Sequence, residues 1–89
     1  MAKNKPEYNK QLKAAILGVV ENQIRDGNPP ETMQTYERLI ADGYSDKETR
    51  NLIGCVVSSE IFDILKKQKP YDHNRFVAAL KRLPTLPWE

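Results

Sequence analysis

The chain has 89 residues, enough for one domain; at this size only about 60% of the unfolded surface is buried on folding, so a dimer interface would add useful stability. Hydrophobic residues at 39% and charged residues at 29% are an ordinary soluble balance, and no apolar run approaches the roughly 20 residues that span a bilayer. Net charge is only +2, and the single Cys55 excludes an internal disulfide. The apolar run 14–20 lies in a periodic pattern and has no small-residue cleavage site after it, so it is not read as a signal peptide. The lone cysteine fits a reducing compartment, and the expected location is cytoplasmic.

In chain order, the first predicted helix covers residues 5–26. Asn4 and Glu7 have the spacing of a capping box, and Tyr8, Leu12, Ala15, Ile16, Val19, Val20 and Ile24 recur at steps of three and four. Gly27 ends it, and the Asn28-Pro29-Pro30 that follows cannot continue it. A second helix is predicted over 29–42, with Asn28 and Glu31 as its capping pair, Met33, Tyr36, Leu39 and Ile40 on its apolar face, and Gly43 as its stop. Ser45 and Glu48 open a third over 46–68. It is apolar over a wide arc between Leu52 and Leu65, which marks it as the central element, and Lys66, Lys67 and Lys69 complement the negative end of its dipole before Pro70 closes it. The fourth covers 72–83, opening at Asp72 and packing Phe76, Ala79, Leu80 and Leu83. The remaining Pro84-Thr85-Leu86-Pro87-Trp88-Glu89 is too rich in proline for helix and is expected to lie docked on the bundle through Leu86 and Trp88. No segment alternates with period two. The expected fold is all-α, a single four-helix bundle-like domain with a docked proline-rich tail.

The residues that could carry chemistry are few. His73 is the only histidine; Asp72 precedes it, but neighbours on a helix point in different directions and no nucleophile motif or oxyanion turn accompanies the pair. One cysteine and one histidine cannot supply the four ligands of structural zinc, and the four glycines stand alone rather than in a phosphate loop. The expectation is therefore no enzyme, no cofactor and no metal site. Gly54 in the middle of the third helix has Ser58 four residues on, a small-residue pair that admits close packing either of another helix of the same chain or of a second copy. The polar cluster Glu21-Asn22-Gln23 follows the apolar run of the first helix, and Asn22 and Gln23 are either an exposed turn or hydrogen-bonding groups for a neighbouring helix or a partner.

Charge is uneven along the chain. Residues 1–20 carry +3 and residues 21–63 carry −5. Residues 64–89 carry +4, from Lys66, Lys67, Lys69, Arg75, Lys81 and Arg82 against Asp72 and Glu89. The basic ends would form a polyanion surface if they met. The lone Trp88 and Phe76 do not interleave with the bases as a stacking platform would, so nucleic acid is not the expected partner.

The runs Val20-Glu21-Asn22-Gln23-Ile24, Gly27-Asn28-Pro29-Pro30, Tyr36-Glu37-Arg38-Leu39-Ile40-Ala41-Asp42-Gly43 and Leu52-Ile53-Gly54 together resemble an uncharacterised family of small bacterial helical domains, over residues 8–83. The resemblance implies a helical domain with no assigned reaction. Many members carry two histidines four apart on the first helix and two on the third, at places that fall here on Lys13, Leu17, Lys47 and Asn51. None is a histidine in this chain, so a metal-dependent role for such relatives does not transfer. Of that skeleton Glu48 alone survives, and the capping box explains it. The expected function is protein association, including a homodimer, through the apolar surface of the third helix and the tail, with no membrane role.

Overall fold

A computed structural model of the chain describes residues 10–89. Its helices are α1 (Lys10–Asp26), α2 (Pro30–Ala41), α3 (Asp46–Lys67) and α4 (His73–Arg82), and the described residues contain no strand. The fold is an all-α, four-helix bundle-like domain. Residues 5–9, which periodicity adds to the first helix, and the capping pair Asn4 and Glu7 lie outside the described residues.

Local chemistry accounts for where the helices stop. Gly27 (φ 63°) and Gly43 (φ 103°) sit in the left-handed region that only glycine enters freely. Each directs a pair of amides back onto the helix it ends: Gly27 to Ile24 and Asn28 to Gln23 on α1, Gly43 to Ile40 and Tyr44 to Leu39 on α2. Both are Schellman closures, and Tyr44 packs against the core cluster that holds Leu39. The helix starts differ from one another. At α3 the Ser45 side chain accepts from the Glu48 amide (3.0 Å) while the Glu48 carboxylate accepts from the Ser45 amide (2.9 Å), the full capping box. At α4 the Asp72 side chain accepts from the Arg75 amide. The capping pair expected at Asn28 and Glu31 does not form. Asn28 is already the second residue of the α1 closure, so the cap falls on Pro29, which offers no side-chain acceptor, and Pro30 takes the first helical position.

Three helices pack on α3. Ile53, Val56 and Val57 of α3 are buried against Ile16, Val20 and Ile24 of α1, Leu39 of α2, and Phe76 and Leu80 of α4. Polar links fix the arrangement. Tyr36 of α2 donates to Asp46 at the start of α3, and Thr32 of α2 donates to Gln23 of α1. Glu60 of α3, 8% exposed, accepts two bonds from the Arg75 guanidinium of α4. Arg38 reaches from α2 to the Leu80 and Leu83 carbonyls, both at 3.0 Å, adding a second donor to Leu80, which already accepts from the Leu83 amide, and tying the end of α4 to α2. With Glu31 near His73 at the other end, α4 runs beside α2 in the same direction. The tail closes the bundle: Leu83 is buried, Leu86 packs against the core, and Pro87 and Trp88 are half-buried.

The apolar stripe of α1 is only half covered. Ile16, Val20 and Ile24 are buried, whereas Leu12, Ala15 and Val19, one step round the helix, are exposed. Gly54 meets α1, and a methyl group there would lie 3.5 Å from Leu17 and 3.6 Å from Ile16, ordinary contact distances. The close packing is therefore of side chains onto the glycine, with room for one carbon and no more.

The two helix starts give a paired test. Ser45→Ala should lower stability by about 1 kcal/mol, and Asn28→Ala by less than about 0.5 kcal/mol because its side chain caps nothing. Urea unfolding measures both, and equal losses would contradict the cap assignments.

Candidate functional site

Helix α3 carries a stripe at positions 54, 58, 61 and 65, spaced four, three and four, so that the four residues share one face. Gly54 and Ser58, at its start, are buried; Gly54 lies under α1 and the Ser58 hydroxyl donates to the Cys55 carbonyl. Beyond them exposure rises among the described residues. Ile61 is 36% exposed and Leu65 is 75% exposed, with Phe62 and Ile64 half-buried on either side. Asp63 and Lys67 lie on the opposite side of this turn of helix and pair at 3.5 Å, and the Lys66 ammonium, beside the stripe, sits over the Phe62 ring. Sequence reading placed Gly54 and Ser58 at a contact face; it did not extend the same spacing to Ile61 and Leu65, although the signal was present.

A second feature is a groove of about 480 Å³ between α1 and the start of α3. Lys13, Leu17, Lys47 and Asn51 all line it, so the four places picked out by the family resemblance come together in space. Ala14 and Gly18 line it as well, with Glu21, Asp46 and Arg50. Asp46 is committed within the fold: its carboxylate accepts from the Tyr36 hydroxyl (2.5 Å) and from Arg50 (2.9 Å), and Arg50 also lies over the Tyr36 ring. The Tyr36 bond first and the Arg50 bond second hold the Asp46 carboxyl below its ordinary value. Arg50 also feels the negative charge of Glu21. Lys13 and Lys47 form no ion pair among the described residues.

His73 is not paired with Asp72, which is spent on the helix cap. Its Nδ1 lies 3.0 Å from the Tyr71 hydroxyl and its Nε2 is 3.7 Å from a Glu31 oxygen. The chain Glu31, His73, Tyr71 has the outline of a relay, but burial, followed by the charges of Glu60, Glu31 and Asp72, pushes the Tyr71 phenol above its ordinary value. A raised phenol is a neutral hydroxyl and not an activated nucleophile. The described residues contain no group of three or more histidine, cysteine, aspartate or glutamate side chains placed to hold a metal.

The remaining sequence candidates separate. In the polar cluster, Gln23 is tied to Thr32, Glu21 lines the α1–α3 groove, and Asn22 is exposed. Of the basic residues, Arg75 is bound to Glu60 and Lys67 to Asp63. Lys69 lines a shallow concavity beside His73, Arg82 lines another with Pro87, and Lys66 and Lys81 are exposed. Lys13 of the first basic segment shares its groove with Lys47 and with none of Lys66, Lys67 and Lys69. No helix among the described residues is long and apolar enough to cross a membrane. No family model, curated protein or solved structure matches the chain.

The commitment of Asp46 can be measured. Because its folded value is depressed, its contribution to stability is fully present above the ordinary carboxyl value of 3.8 and is lost as pH falls through the folded value. In a carboxyl-detected NMR titration the wild-type midpoint should lie below 3.8, and Tyr36→Phe should move it upward. An unchanged midpoint would show that the phenol does not hold the carboxylate.

Proposed function

We propose that this chain is a non-enzymatic helical association module that pairs with a second copy of itself through the last turns of α3. The reading rests on one observation: among the described residues the stripe 54, 58, 61, 65 is buried over its first half, where Gly54 lies under α1, and becomes exposed over its second, from Ile61 at 36% to Leu65 at 75%. An apolar helix face that continues past its own partner is suited to receive another helix. The identical faces of two copies can pair across a two-fold axis, Ile61 of each against Leu65 of the other. Asp63 and Lys67 pair on the far side of the helix, and Lys66 lies at the edge of the seam with its ammonium over the Phe62 ring.

Membership of the uncharacterised helical family belongs to the same proposal. It is favoured by the convergence of positions 13, 17, 47 and 51 on one groove, and it brings no reaction with it. Polyanion binding is the weaker reading, because Arg75 and Lys67 are paired with acids within the fold and Lys13 lines a groove that includes none of the C-terminal bases.

Light scattering across a concentration series tests the pairing. Wild-type protein should move from 10.2 kDa toward twice that mass in the micromolar range, while Leu65→Lys should stay at 10.2 kDa with its helicity intact. A mass of 10.2 kDa for wild-type protein at every concentration would refute the proposal.

A further inference from the structure

We infer that the α1–α3 groove is a binding site for a small organic anion, a carboxylate carried on an apolar body. The inference is independent of the pairing through α3. Three features of the groove support it. The first is size: at about 480 Å³ it falls within the 300–1,000 Å³ typical of small-molecule sites.

The second is charge. Lys13 and Lys47 line the groove without an ion pair among the described residues, one from each helix. Asp46 is engaged by Tyr36 and Arg50, and Glu21, the other acid of the lining, forms no ion pair with either lysine. With three bases and two acids on its walls, the groove has a net positive charge, and the Asn51 side chain adds an uncharged hydrogen-bonding group.

The third is Gly18. A glycine within a helix costs about 1 kcal/mol relative to alanine, and the packing of this chain does not require it, because a carbon added there would meet nothing within 4 Å. Its position lines the groove beside Ala14 and Leu17, so any larger side chain would occupy the space a ligand would use. The wall is thus apolar where the body of the ligand would lie and cationic where its carboxylate would lie.

The test uses 4-phenylbutyrate as probe and 4-phenylbutanol as its uncharged counterpart, followed by amide NMR. Phenylbutyrate should shift the Gly18, Lys47 and Asn51 amides saturably, and the alcohol should bind at least about tenfold more weakly, as expected for loss of charge-assisted bonds. Lys13→Gln with Lys47→Gln should produce a similar loss. Gly18→Leu, which meets open space and favours helix, should abolish binding while the melting temperature holds or rises. Absence of a saturable shift at these amides would overturn the inference. So would equal binding of acid and alcohol, or shifts confined to residues 61–67, which would mean adsorption on the bare end of α3.

Discussion

A helix of 22 residues extends about 33 Å at 1.5 Å per residue, and its partners here have 17, 12 and 10 residues. As placed among the described residues, they leave the last turns of α3 exposed. The cover is placed at its middle, where Ile53, Val56 and Val57 meet side chains from all three neighbours, and at its start, where Tyr36 of α2 reaches Asp46. What is left over is the last part of the stripe. Ile61 and Leu65 have the residue types and spacing of a buried face without a partner in the described chain, and this mismatch of lengths is the physical source of the proposed pairing.

The polar groups follow a related logic. Burial of Glu60 at 8% exposure would be costly alone, and two bonds from Arg75 make it a clamp between α3 and α4. Arg38 serves the end of α4 from another helix, giving the Leu83 carbonyl a donor and the Leu80 carbonyl a second one beside the Leu83 amide. Tyr36 and Arg50 fix Asp46. With those charges tied into the fold, Lys13 and Lys47 stand out in their groove.

The sequence made the helices legible because their ends are set by local chemistry. Gly27, Gly43 and the Ser45–Glu48 box act within a few residues of themselves, so spacing suffices to find them. Asn28 misled because one residue had two local roles open to it, closing α1 or capping α2, and only the backbone path decides between them. The width of the α1 stripe was overread for a different reason: Leu12 and Val19 fit the period as well as Ile16 and Val20, and the crossing of α1 over Gly54 determines which are covered. Long-range pairs such as Arg38 with Leu83 have no pattern along the chain at all. The convergence of positions 13, 17, 47 and 51 likewise required the fold.

The most direct measurement of the central claim is amide hydrogen exchange at two protein concentrations. In dilute solution the amides of residues 61–67 should exchange by local opening, well before those of residues 53–58 at the core of α3, because few buried contacts hold that end. At high concentration the account predicts that protection rises in 61–67 and stays level elsewhere. Protection in 61–67 that does not change with concentration, or a rise confined to α1 or the tail, would contradict it.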